Sequence, residues 1–188
     1  MVLSFNRPHY LRPTLESLRD QMPPLDPDRV HLFQDGAVNL YSGVRYADDA
    51  AIEECIGVFR EMFPRGHVHV SAANIGICEN FLRAERFAFQ TLKAPVGYFF
   101  EDDMVLSPHY LAALDLLRRS LCGRRVGYFN ACGSFASPLA EQSARHDELI
   151  EMGHLWGFGL KRSHWLAMQS KLAPYDGDRP GLPEPLAR

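Results

Sequence analysis

Three carboxylates in a row, Glu101-Asp102-Asp103, close an apolar run that begins at Val96 and continues through Gly97-Tyr98-Phe99-Phe100. Adjacent carboxylates held at the edge of a core repel one another and lose solvation, so they require a counter-charge or full exposure. A divalent cation supplies such a charge, with phosphate-linked chemistry as its usual setting. The plainer alternative is a solvated turn that begins the next helix. Ser107 is the better N-cap for that helix and Pro108 suits its first turn, which leaves Asp102 and Asp103 too far upstream to cap it.

The run before the acids is short, rich in aromatics and bounded by Pro95 and Ser107-Pro108, which predicts a buried strand rather than a helix. Ligands of open α/β sheets bind at the carboxyl ends of strands, where this triplet falls. Other expected strands end in comparable groups. Val2 to Phe5 leads into Asn6-Arg7-Pro8, Val30 to Gln34 into Asp35-Gly36, and Val68 to Ser71 into Asn74, Gly76 and Asn80. Each has a bland counterpart: Arg7 as a surface residue in a turn, Asp35-Gly36 as a common turn pair, and the rest as turn and cap residues. Their interest lies in sharing one sheet edge.

Between these strands apolar residues recur at helical spacing. Leu11, Leu15 and Leu18 mark a first helix, in which Pro13 is tolerable only in the first turn. Ile52, Ile56, Phe59 and Met62 mark a second within Tyr46 to Met62, Phe81, Ala84, Ala88 and Leu92 a third, and Leu111, Leu114 and Leu117 a fourth over Pro108 to Leu121. Val126 to Ala131 adds a strand. The alternation predicts an α/β fold with a mostly parallel sheet and helices on both faces. Beyond Gly133 the rhythm breaks: Gly133 to Glu148 reads as loop and Leu149 to Met152 as a short strand. The Gly-aromatic segment Gly153 to Gly159 reads as a ligand platform or a packed junction, before a helix from Ser163 to Lys171. Residues 1–173 are read as one domain, and the Pro- and Gly-rich residues 174–188 as a tail or a truncated acceptor-side element.

The formal net charge of the 188-residue chain is -3, and its basic residues are scattered, with Arg118-Arg119 and Arg124-Arg125 the adjacent pairs. That argues against nucleic acid as the main partner. No apolar stretch reaches the length of a transmembrane segment and no charged leader precedes Val2, so the expectation is a soluble, cytoplasmic protein. Cys55, Cys78, Cys122 and Cys132 form no Cys-x-x-Cys pair and read as reduced structural thiols. His67 and His69 alternate on one strand face without a third ligand nearby in sequence, which reads as surface patterning rather than a metal site.

In order and spacing, the four polar strand ends resemble the nucleotide-sugar-binding core of glycosyltransferases with the GT-A fold, a Rossmann-like sandwich around a mostly parallel sheet. The likeness is to the N-acetylglucosaminyltransferase I type and, more loosely, to the family 2 transferases. It runs from Ser4 to about Trp165 and is most specific at Glu101 to Pro108, which is similar to that family's acidic, DXD-like metal motif. The resemblance implies that Asp103 binds Mn²⁺ or Mg²⁺ and that Asp102 and Glu101 contact the donor's ribose or sugar. It also implies that Arg7 approaches the diphosphate, that Asp35 recognises the nucleobase edge, and that Asn6, Asn74, Gly76 and Asn80 belong to the donor-binding set. An arginine suits bidentate phosphate contact on independent grounds.

The implied reaction moves a sugar from a nucleotide donor, a UDP-sugar, to an unidentified glycan, lipid-linked or protein acceptor. It is a single displacement with inversion, in which a carboxylate deprotonates the acceptor hydroxyl. Only Asp176 and Asp178 stand near the place of the family's base, and spacing favours Asp178. The alternative is a truncated or inactive transferase-like module that binds nucleotide sugar without turnover. A nucleotidyltransferase or other metal-dependent phosphoryl enzyme is disfavoured because no Gly-rich phosphate loop of the P-loop type follows the first strand.

Overall fold

A computed structural model describes residues 1–133, 137–151 and 153–176. Six strands form one mixed sheet: β1 (Val2–Ser4), β2 (His31–Gln34), β3 (His67–Val70), β4 (Val96–Glu101), β5 (Tyr128–Asn130) and β6 (Phe158–Lys161). Their spatial order is β3-β2-β1-β4-β6-β5. β1 pairs in parallel with β2 and β4, and β2 with β3, whereas β6 is antiparallel to both β4 and β5. Only β6 therefore runs against the other strands, and the expected mostly parallel α/β sheet is present. The helices are α1 (Pro8–Arg19), α2 (Asp49–Met62), α3 (Gly76–Arg86), α4 (Tyr110–Ser120), α5 (Leu139–Ala144) and α6 (Arg162–Asp176).

Strand alternation divides the apolar residues between two cores. Val2, Leu32 and Phe100 face a core built with Leu11, Leu15 and Leu18 of α1, Val58 and Phe59 of α2, and Leu114 of α4. Phe33, Phe99, Phe158 and Leu160 face the opposite core, closed by Ala84 of α3, Phe89 and Trp165. The strands are thus apolar on both sides, as a sheet covered by helices on both faces requires. No helix among the described residues is long and apolar enough to cross a membrane.

Several expectations are corrected. α1 begins at Pro8, whose fixed φ suits the first helical position, so Pro13 lies in the second turn. α4 begins at Tyr110 after His109, with no side-chain cap. Ser107 instead gives its carbonyl to Tyr110 N at 3.0 Å and Gln21 Nε2 at 2.8 Å. The stretch expected to be loop contains α5, and residues 149–151 form no strand, Met152 lying outside the described residues. The end of the Gly-aromatic segment enters β6, whose Gly159 packs against the Phe129 ring. α6 runs through Pro174 to Asp176. His67 and His69 do share a face, with His67 exposed and His69 half-buried, and His31 of β2 is buried beside them, its Nδ1 3.1 Å from His69 Nε2, with Phe87 against both of these rings. The partner came from a neighbouring strand and was invisible to local spacing.

Candidate functional site

The strand order changes direction between β1 and β4, since β2 and β3 lie to one side and β4 to the other. A crevice outside the carboxyl ends of the strands forms at such a switch point. Asn6 and Arg7 leave the end of β1 there, and Glu101, Asp102 and Asp103 leave the end of β4. Arg7 starts α1, its carbonyl accepting from Leu11 N at 2.9 Å. Its Nη2 donates to Asp102 Oδ1 and lies 3.2 Å from Asp103 Oδ2. The Arg7 guanidinium also sits 5.3 Å from the Tyr10 ring centre.

The two aspartates differ in what remains available. The Asp102 side chain is 4% exposed and that of Asp103 is 41% exposed. Burial raises the Asp102 carboxyl above the usual carboxylate range, against the hydrogen bond and charge of Arg7. Glu101 is raised as well, by burial and then by the neighbouring Asp103 and Asp102 charges. The Asp102 hydrogen bond in turn raises Arg7. Asp102 is the counter-ion that fixes Arg7, and Asp103 is the carboxylate with a face open to a ligand.

Polar residues of α1 and of the turn just after it hold this acidic segment in place. Thr14 Oγ1 donates to the Asp102 carbonyl at 2.9 Å, Ser17 Oγ accepts from Leu106 N at 3.0 Å, and Gln21 Oε1 accepts from Leu111 N at 2.9 Å. Thr14 and Gln21 are buried polar residues whose partners are backbone groups of α1 and of the segment beyond β4. Sequence reading passed over them, although polar residues three and seven apart beside a leucine stripe were a usable signal.

Asp35 does different work from the nucleobase contact expected of it. Oδ1 accepts from Gly36 N and Ile75 N, each at 2.9 Å, and Oδ2 accepts from Gly76 N and Asn74 Nδ2, each at 3.0 Å. A carboxylate offers about four acceptor sites, so this one is filled from within, and at 3% exposure it is closed to a base. Burial raises its carboxyl against the pull of the backbone donors of Ile75, Gly36 and Gly76. The clamp requires close backbone approach: a Cβ on Gly36 would lie 2.5 Å from the Ala73 carbonyl carbon. Gly76, at φ +80°, turns the chain into α3.

Asn74 and Asn80 are structural by the same measure. Asn74 N donates to Val38 O at 2.6 Å and Asn74 O accepts from Leu40 N at 2.9 Å, tying the loop after β2 to the loop after β3. Asn80, 2% exposed, donates to Phe33 O at 2.9 Å. Arg83 of α3 donates to Gln34 O at 3.1 Å and His69 O at 2.8 Å, capping the ends of β2 and β3, and burial lowers its pKa. Of the expected donor set, the fold brings together Asn6, Arg7, Glu101, Asp102 and Asp103; it assigns Asp35, Asn74, Gly76 and Asn80 to the supporting loops.

The Gly-aromatic segment reaches the same sheet edge through β6. Tyr110 Oη donates to Gly157 O at 2.7 Å and lies 3.1 Å from Cys132 Sγ, and burial is the first cause that raises its pKa. This is the packed-junction reading of that segment. A cavity of about 1030 Å³ runs beside β5 between α4 and α5, with Ala131, Cys132 and Gly133 at its end nearest the crevice. Asp176 is the last residue of α6, and Asp178 lies outside the described residues.

No group of three His, Cys, Asp or Glu side chains among the described residues could hold a metal ion. A protein-only cage is therefore absent from this part of the chain. Asp103 alone fits the other mode, in which a hard cation takes one carboxylate together with substrate phosphates. The sequence matches no protein-family model, and a comparison with curated proteins finds no match either.

Proposed function

We propose that the chain is a GT-A fold glycosyltransferase that moves a sugar from a nucleoside-diphosphate donor, a UDP-sugar, to an acceptor hydroxyl with inversion. The observation that carries this reading is the Arg7–Asp102–Asp103 constellation at the switch point between β1 and β4. Arg7, held by the buried Asp102, presents guanidinium N–H groups to the donor diphosphate. Asp103 holds Mn²⁺ or Mg²⁺ jointly with the phosphates, and the bound cation neutralises charge on the leaving diphosphate. Glu101 and Asn6, at the same strand ends, face the donor's ribose or sugar. The base is Asp178 or Asp176, and the cavity beside β5 gives the acceptor room near the crevice.

A site with a single carboxylate ligand binds its cation well only when phosphate is present. Thermal unfolding with UDP, with Mn²⁺ and with both tests this, beside the Asp103→Ala variant. A ligand at a hundredfold excess over its dissociation constant stabilises by about 2.7 kcal/mol, several degrees for a domain of this size. The expected result is a shift that needs UDP and Mn²⁺ together and vanishes in Asp103→Ala. No shift with any nucleoside diphosphate would overturn the donor site. Release of UDP from a UDP-sugar then separates an enzyme from a module that binds without turnover.

A further inference from the structure

The basic residues that are scattered in sequence are not scattered in space. Among the described residues, Arg7, Arg12, Arg19, Arg29, Arg45, Arg65, Arg118, Arg119 and Arg145 are ion-paired with carboxylates. Arg118 and Arg119, for example, share Asp115 at 2.7 and 3.0 Å. The other adjacent pair behaves differently. Arg124 and Arg125 stand in the turn before β5, and with Lys161, His164 and Lys171 they line a groove of about 440 Å³. No carboxylate is among its lining residues, and none of these four cations has an ion-pair partner among the described residues.

The groove is built by three elements. His164, Ala167, Met168 and Lys171 recur at helical spacing and form one wall along α6. Arg124 and Arg125, both exposed, form the other wall. Lys161, the last residue of β6, lies between them, its Nζ anchored 2.6 Å from Leu121 O at the end of α4. The His164 ring lies over Gly127, where a Cβ would overlap it. Because β5 starts and β6 ends here, the groove is at the sheet edge opposite the Arg7–Asp102–Asp103 crevice.

Four like charges gathered with no carboxylate among the described lining residues, on a chain of net charge -3, create a local positive field that attracts anions. Concavity and size decide which anions. The volume suits a discrete group of small-ligand dimensions. Nucleic acid is bound instead by a run of phosphate contacts along an extended surface. Arginine and lysine together match phosphate oxygens, through forked donors and a point charge respectively.

We propose that this groove is a second anion site that takes a phosphomonoester or diphosphate group, separate from the donor crevice and independent of whether that crevice turns over a sugar. The group comes from a free phosphorylated metabolite or from a phospholipid headgroup. The test uses the whole chain without divalent cation. Calorimetric titration with inorganic pyrophosphate reads the first source, and co-sedimentation with phosphatidylcholine vesicles with and without phosphatidic acid reads the second.

Wild type should bind pyrophosphate, phosphatidic acid vesicles or both, and more weakly as salt rises. The Arg124→Glu/Arg125→Glu variant should lose at least tenfold in affinity, and so should Lys171→Glu on the opposite wall. Arg29→Glu/Arg60→Glu, which changes charge equally at exposed positions elsewhere, should bind as wild type does. Vesicle binding without pyrophosphate binding assigns the site to headgroups, and the reverse assigns it to soluble phosphates. Equal binding by wild type and both groove variants would overturn the proposal, as would equal loss in the control or failure of wild type to bind either probe. Binding of single-stranded DNA that is lost in the groove variants, with pyrophosphate inert, would overturn it in favour of nucleic acid.

Discussion

Replacing Asp35 with alanine should destabilise the protein by about 3 kcal/mol with no nucleotide present. The carboxylate accepts four hydrogen bonds of 2.9 to 3.0 Å from Gly36, Ile75, Gly76 and Asn74. At about 1 kcal/mol net for each, their loss sums to about 4 kcal/mol. Removing a charge that burial already disfavours returns about 1 kcal/mol. Asp35→Asn keeps acceptors for two donors and turns an amino group toward the others, so it should lose about 2 kcal/mol. Urea unfolding of the three proteins at neutral pH, followed by circular dichroism and compared at equal slope, measures these differences. An alanine variant within about 0.5 kcal/mol of wild type, with UDP binding lost, would refute the clamp and return Asp35 to nucleobase recognition.

Other expectations concern acid, the ion pair and the close backbone contact. Burial lowers His31 to about 3 and His69 to about 4, below their ordinary value of 6.5. The unfolded chain therefore takes up protons first, and the stability these rings contribute above pH 6.5 is lost as pH falls toward 4, by about 1–2 kcal/mol at pH 5 once solvent screening is allowed for. Urea midpoints from pH 7 to 5 should show this decline, and His31→Leu should flatten it; an unchanged slope in the variant counts against the histidine cause. Arg7→Ala strands the buried Asp102 carboxylate and should cost about 2 kcal/mol at pH 7. The deficit should shrink on acidification as Asp102 protonates, and one that grows instead contradicts the pairing. Gly36→Ala drives a Cβ to 2.5 Å from backbone at Ala73, so a loss of about 2 kcal/mol is expected in thermal unfolding; a variant as stable as wild type would show that the 71–76 loop can move away.

The parallel half of the sheet was legible because each of its strands is an apolar run followed by polar residues and a periodic helix. Arg7 and the acids met as their strand-end positions suggested, since β1 and β4 are paired neighbours with Leu3 opposite Glu101. The clamp at Asp35 was not legible because a carboxylate in a turn has the same local sequence whether it faces a ligand or its own chain. Its donors Asn74 to Gly76 come from some 40 residues on. β6 was missed for a related reason: Gly159 interrupts its apolar run, and its partners on both sides are distant in sequence. The groove near Lys161 was hidden likewise, its cations being spread over residues 124–171.

The insertion of β6 between β4 and β5 also orders events in time. β5 is made before β6, yet β6 is the one strand with which it pairs. As the chain leaves the ribosome, β1 to β4 can assemble from segments already present, while Tyr128–Asn130 must wait for Phe158–Lys161. β6 thus completes the sheet by filling the place between two strands that it alone joins. The switch-point crevice stands on the early part of the sheet, and the cationic groove comes into being only with the late one.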